Sequence, residues 1–245
     1  MIAHEASPSV KEKNLKVRII SYSQPPKDAI IGLDDVQDLI SYCARVSNPD
    51  NQLNSKTAGK LLSYLSKHKH WSPFEMASVC MEIETTRDIA RQFLRHRSFS
   101  FQEFSQRYAD PTKDLEFVRR ETRLQDPINR QNSIEIEGDP SLVDNQHNLS
   151  LITEWGRRQA GIIKQASDTY KWAIENGIAK EQARAVLPEG LTVSRLYVNG
   201  TLRSWMHYIE LRCANGTQKE HIELAKACAK AIEQIFPLVR SYTNG

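Results

Sequence analysis

Two rhythms of hydrophobic and polar positions run along the chain. Val17 to Tyr22 (VRIISY) is β-branched and apolar, which predicts a first strand. Asp34 and Asp35 stand where a helix cap belongs, ahead of Val36, Leu39, Ile40 and Cys43 at helical spacing. Ser55 is placed to cap a second helix carrying Leu61, Leu62 and Leu65, with Pro73 as its stop. Period two then takes over. Ala77, Val79, Met81 and Ile83 fall on one face, and Ser78, Cys80, Glu82 and Glu84 on the other, as in a strand. Thr85 or Thr86 can cap a helix from Arg87 to about His96, with Ile89, Ala90, Phe93 and Leu94 inward. Residues 97–123 read as extended or looped. Residues 124–147, rich in Asp, Asn, Gln, Gly and Pro, read as a long loop insertion, a class of segment that is usually functional or mobile. Helical spacing returns at Leu149 and runs through Ile152, Trp155, Ile162, Ile163, Ala166, Tyr170 and Ala173 to a stop at Asn176-Gly177. AKEQARAV predicts a short helix ending at Leu187-Pro188, and Thr192 to Val198 alternates weakly. Thr201 can cap a helix bearing Leu202, Trp205, Met206, Ile209 and Cys213, and a last helix carries Ile222, Ala225, Cys228, Ile232 and Ile235. Residues 1–16 are polar and expected to be loosely held. No repeat or linker divides 1–245, so the pattern predicts one helix-rich α+β domain with a small mixed or antiparallel sheet.

Composition narrows the class. The 245 residues are 40% hydrophobic and 26% charged, an ordinary globular balance. No apolar run reaches the 18 or so residues of a membrane span, and the first residues lack a basic-then-apolar signal. Cys43, Cys80, Cys213 and Cys228 are irregularly spaced, form no CxxC pair and sit among apolar neighbours. They read as buried, reduced thiols of a cytoplasmic protein. His68 and His70 resemble a metal pair, but no third ligand at metal spacing accompanies them, so no metal is expected.

The net charge of +3 is concentrated. Between residues 87 and 108 stand Arg87, Arg91, Arg95, Arg97 and Arg107 against only Asp88 and Glu103, while the 28 basic and 28 acidic residues elsewhere cancel. Arg87, Arg91 and Arg95 are spaced to line one helix face, and Glu103, Ser105 and Arg107 alternate as on one side of a strand. Arginines and a serine hydroxyl suit a phosphate, and a carboxylate among them can hold a sugar hydroxyl. A charge run alone is more often a solvated face. Here Phe93, Phe99, Phe101, Phe104 and Tyr108 interleave with it and can pin the polar side in place. Two function classes follow: a site for a phosphorylated, sugar-bearing ligand, or a binder of single-stranded RNA. The local confinement of the charge favours a small anionic ligand over a nucleic acid. No GxGxxG, GK[ST], GxSxG or HExxH occurs, so side chains must hold any dinucleotide. Arg184 and Arg212 stand near helix ends, where either can also serve the helix dipole.

Six ordered motifs then coincide: CARVS at 43–47, HWSPFE at 70–75, RQFLRHR at 91–97, QEFSQRYAD at 102–110, QARAVLP at 182–188 and LRSWMHYIELR at 202–212. Together they resemble the flavin-dependent thymidylate synthases, over about residues 40 to 215. The resemblance implies an unusual α+β fold, a homotetramer with active sites at subunit interfaces, and synthesis of dTMP from dUMP. The carbon donor would be 5,10-methylenetetrahydrofolate, and FAD reduced by NADPH would carry the hydride. By matching positions, Gln92, Arg95, Glu103, Ser105, Gln106, Arg107, Arg184 and Arg212 would contact dUMP. Ser47, His70, Ser72, Arg95, His96, Arg97, Glu103 and His207 would line the FAD site, with Thr201 to Arg203 nearby. Arg212 would activate the uracil ring. The chain departs from the family pattern at Gln102, Met76 and Thr201, where many or some members carry Asn, His and Asn. No cysteine lies in a chemical motif, so no covalent sulfur intermediate is expected. Ser105 shows no base partner and reads as a phosphate ligand rather than a nucleophile. The DPINRQNS core of the insertion, 126–133, is predicted to fold over the site as a lid.

Overall fold

Most expected elements form, with their ends shifted by local contacts. The structure, a computed structural model, describes residues 10–11, 15–26, 28, 32–137 and 139–243. Much of the 1–16 stretch expected to be loosely held therefore lies outside the described residues. In chain order the elements are β1 (Val10–Lys11), β2 (Lys16–Tyr22), α1 (Val36–Ala44), α2 (Ala58–Lys67), β3 (Ser78–Thr86), α3 (Arg87–Phe93) and β4 (Ser100–Glu103). There follow α4 (Pro111–Asp114), β5 (Phe117–Val118), β6 (Arg123–Gln125), β7 (Ser133–Glu135), α5 (Pro140–Val143) and α6 (Gln146–Glu175). The chain closes with α7 (Lys180–Ala183), β8 (Val193–Thr201), α8 (Leu202–Cys213) and α9 (Lys219–Glu233). The fold is α+β, rich in helix, with a four-stranded sheet in the order β2-β3-β8-β4 and two small two-stranded pairings, β1-β5 and β6-β7.

Backbone contacts group the chain into two compact units. Of the described residues, the first comprises those within 1–15, 84–93 and 103–195, and the second those within 16–83, 94–102 and 196–245.

In the second unit, the Asp35 side chain caps α1 by accepting from Asp38 N at 2.9 Å, and Val36 and Ile40 turn inward. Buried Arg45 ties the following loop by donating to Asn54 O at 2.6 Å and Thr57 Oγ1 at 2.8 Å. Thr57, not Ser55, occupies the cap position of α2, because Ser55–Thr57 forms a 3₁₀ turn of its own. That helix stops at His68, where Lys69 enters the left-handed region at φ 59°; Pro73 instead opens the next 3₁₀ turn. Val79, Met81 and Ile83 of β3 are fully buried, as the alternation predicts. The Thr201 side chain caps α8 by accepting from Ser204 N. Trp205 Nε1 donates to Val79 O at 3.1 Å and seats α8 on that strand. Leu224, Ala225, Cys228 and Ile232 of α9 complete the core, where each large aliphatic side chain contributes about 1.5–3 kcal/mol. At Gly200 an added Cβ would clash with the Phe99 ring, so only glycine lets that ring approach.

In the first unit, α6 runs roughly 45 Å at 1.5 Å per residue. Ile163, Tyr170 and Ala173 pack with Phe117, Ala183, Leu187 and Leu191 into one cluster. Gln159 is buried and exchanges hydrogen bonds with the Arg120 backbone: Arg120 N donates to its Oε1 at 2.7 Å, and its Nε2 donates to Arg120 O at 2.9 Å. The Arg120 guanidinium grips Asp88 at 2.7 and 2.9 Å, Thr86 Oγ1 at 2.6 Å and Gly190 O at 3.1 Å, which anchors the start of α3.

Further expectations need correction. The helix from Arg87 ends at Phe93 rather than His96, so Arg95 is not on it and no three-arginine helix face exists. Residues 97–123 are extended at β4 and β5 as expected, and only α4 departs from that reading. Residues 124–147 are not a featureless loop. An antiparallel hairpin pairs Leu124 with Ile134, and α5 follows, capped by Asp139. The Asp- and Asn-rich composition reflects turn chemistry. Asp126 accepts from Ile128 N, Asn129 N and the Asn132 side chain at 2.8–3.0 Å, and those bonds hold its carboxyl below the usual range.

Candidate active site

In the first unit, polar side chains gather around Glu103, the last residue of β4. Its Oε1 accepts from Ser194 Oγ at 2.9 Å and Arg87 Nη1 at 3.3 Å, and its Oε2 from Arg91 Nη1 at 3.5 Å. Glu189 extends the network, 3.6 Å from Arg91. Arg87 is buried on α3, and that burial lowers its pKa while Glu103 opposes the shift. Gln92 lies half-buried on the same helix.

The strand stops at Glu103, so Ser105 and Arg107 are not its continuation. They lie on a turn in which Tyr108 N and Ala109 N donate to Ser105 O at 3.1 Å, because the chain must reverse ahead of α4. Ser105 Oγ accepts from Arg107 N at 3.4 Å. Among the described residues no histidine or carboxylate hydrogen-bonds this hydroxyl. Gln106 is buried on the same turn. Glu181 draws two expected ligands together: its carboxylate lies 3.7 Å from Arg107, and its carbonyl accepts from Arg184 Nε at 3.3 Å.

In the second unit, Ser47, His70, Ser72, Arg95 and Arg97 are exposed on turns after α1, α2 and α3. Helix α8 aligns Arg203 and His207, four residues apart, on one face. Arg203 pairs with Glu75. The His207 ring meets Trp71 edge-on at 4.4 Å, and burial first, then Arg203, lowers its pKa. Both rings border a cavity of about 710 Å³ that Ser66, Lys67, Lys69 and Tyr242 also line. Toward the end of α8, Arg212 Nε donates to His96 Nε2 at 2.9 Å. Burial and then Arg212 push the His96 pKa down to about 4.

His221 was not among the expected site residues. It is fully buried on α9, where burial, Arg212 and His96 hold its pKa at about 3. Its spacing to Leu224, Ala225 and Cys228 marks it as inward, the one sequence signal available. Ser194, as a support for Glu103, and Tyr208, beside His96, carry no such signal. Of the cysteines, Cys213 and Cys228 are buried, but Cys43 and Cys80 are only half-buried, a correction to the uniform burial expected. Burial raises all four thiols.

Residues 30–238 match the family model described as thymidylate synthase complementing protein. The chain belongs to this family. A probable flavin-dependent thymidylate synthase of Paramecium bursaria Chlorella virus 1 is 45% identical over 225 residues, covering 92% of this chain and 97% of the relative. The flavin-dependent thymidylate synthase of Synechocystis sp. is 43% identical over 227 residues, with the same coverage. The fold is that of a solved UMP/dUMP methylase, PolB from Streptomyces cacaoi bound with 5-Br dUMP. The TM-score is 0.72 over 95% of each chain, at 22% identity.

Proposed function

We propose that this chain, acting as one catalytic domain over 1–245, is a flavin-dependent thymidylate synthase that methylates dUMP to dTMP. The donor is 5,10-methylenetetrahydrofolate, NADPH is the reductant, and the enzyme works in the cytoplasm as a homotetramer with active sites at subunit interfaces. No helix among the described residues is long and apolar enough to cross a membrane. The observation that carries the reading is the Glu103 network. A carboxylate restrained by Arg87, Arg91 and Ser194 keeps lone pairs for a ligand's hydroxyl or N–H. Ser105, Gln106, Arg107 and Arg184, expected dUMP contacts of the same unit, would supply further donors.

The donor set of the second unit fits FAD. Arg95, Arg97 and Arg203 offer cations to a pyrophosphate, Ser47 and Ser72 offer hydroxyls, and His207 opens on a cavity with aromatic and cationic walls. Bound there, the flavin would supply the hydride that reduces the transferred carbon to a methyl group. The protein supplies position and charge. Carbon–carbon bond formation at uracil C5 needs electron density there, and density rises as negative charge develops at the ring carbonyls and nitrogen. The Arg212 guanidinium stabilises that charge as an oxyanion hole would. Thiols raised by burial are protonated at neutral pH, which argues against a cysteine nucleophile on the ring.

The test is an absorbance spectrum followed by an assay. The purified protein is expected to be yellow, to oxidise NADPH in response to dUMP, and to form dTMP when the folate donor is present. A colourless protein with salt-sensitive RNA binding, or NADPH oxidation without dTMP, would overturn the reading.

A further inference from the structure

Arg212 and His96 stand 116 positions apart in the chain, yet Arg212 Nε lies 2.9 Å from His96 Nε2. A guanidinium N–H only donates, so Nε2 accepts, and the imidazole is neutral with its proton on Nδ1. The imidazole is itself held. The Tyr208 ring meets it edge-on at 5.0 Å and 86°, and the His221 ring at 6.4 Å and 85°. Tyr208 is 1% exposed and His221 0%, so neither ring can swing aside within a close-packed interior. Burial and the Arg212 charge keep His96 in the accepting form at neutral pH.

We propose that His96 is a positioning residue for Arg212: by accepting the Nε–H it fixes the guanidinium plane and reserves both Nη groups for the pyrimidine. The proposal rests on the role given to Arg212 above. The guanidinium is planar, so one hydrogen bond at Nε sets the directions of the remaining donors. A donor set in place before charge develops needs no reorientation during the reaction. Family resemblance puts His96 only beside the flavin, so the two roles must be separated by measurement.

The test uses the purified flavoprotein with His96→Leu, His96→Gln, Arg212→Ala and the His96→Leu/Arg212→Ala double variant. Readouts are visible flavin absorbance per chain, and kcat and KM for dUMP. Glutamine carries a carbonyl oxygen about as far out as Nε2 and restores the acceptor; leucine does not. Both His96 variants are expected to retain flavin. His96→Leu is expected to lose about 100-fold in kcat with KM changed less than about threefold, the scale of a misplaced catalytic group. His96→Gln is expected to recover most of that loss, and His96→Leu to add less than about twofold in the Arg212→Ala background. Equal turnover of the leucine and glutamine variants overturns the positioning role, as does a full multiplicative loss in the double variant. Flavin loss in both His96 variants assigns the residue to the flavin alone and overturns it too. Normal turnover of Arg212→Ala overturns the function given to Arg212, whereas inactive Arg212→Ala beside a normal His96→Leu overturns only the positioning.

Discussion

Arg212 and Ser105 make opposite demands on a substitution. If the Arg212 guanidinium stabilises developing charge, Arg212→Ala removes an interaction realised in the transition state. The expected loss is about 3–4 kcal/mol, read as a fall of about 10²–10³-fold in kcat, in line with one oxyanion-type donor. Unchanged kcat refutes the assignment. Ser105 has neither a base beside its hydroxyl nor a strand to brace it, so it can donate to a phosphate but is not activated as a nucleophile. Ser105→Ala is therefore expected to raise KM for dUMP and leave kcat within about tenfold, since a neutral hydrogen bond contributes about 0.5–1.5 kcal/mol. A complete loss of turnover with dUMP binding intact would restore the nucleophile. At this scale the sequence was informative about residue type and silent about partners. Glu103 looked like a sugar ligand from its neighbours along the chain, but Arg87 and Ser194, which restrain it, come from α3 and β8.

At the scale of elements, short-range rhythm was the legible part. Strand β3 and helices α1, α8 and α9 follow their periodicities, because each buries a face whose spacing is written locally, whereas α6 forms with Leu149, Trp155 and Ile162 of its expected apolar positions exposed. Their ends were less legible. The stop of α2 is set by the backbone of Lys69, a residue type that gives no warning of positive φ, and α3 ends early where the chain turns to bring Phe99 against Trp205 at 4.7 Å. The 124–147 segment departs from its expected loop for a related reason: its hairpin strands are three residues each, too short for a rhythm. The Phe99 turn carries its own prediction. Gly200→Ala forces a Cβ into the Phe99 ring, and overpacking of this kind costs about 1–3 kcal/mol. Thermal unfolding should show a lower melting temperature, which a second change, Phe99→Leu, should partly relieve. A Gly200→Ala protein as stable as the parent would show that the ring shifts freely.

For the whole molecule, the buried histidines link stability to pH. In the folded chain the pKa of His96 is about 4 and that of His221 about 3, both below the ordinary 6.5. Below pH 6.5 the unfolded chain binds protons that the folded chain refuses. Stability from these two groups is thus fully present above that pH and lost as pH falls toward the folded values. Melting temperature is expected to decline between about pH 6.5 and about pH 5, above the range where most carboxylates titrate. His221→Phe should flatten that decline; an unaltered slope would remove His221 from the linkage. This coupling was invisible in the sequence, since His96 and His221 are separated by more than a hundred residues. The family was visible there, because its motifs are contiguous words whose order survives without any knowledge of contact.

The clasp between Arg120 and Gln159 has a practical consequence. Beyond it the β6–β7 hairpin turns at a tip where Ile128 is 93% exposed, while Arg120 also secures the start of α3 through Asp88. The hairpin is thus a handle riveted at its base. A dye or short epitope spliced into the tip would therefore report on an anchor shared with α3, the helix whose arginines hold Glu103.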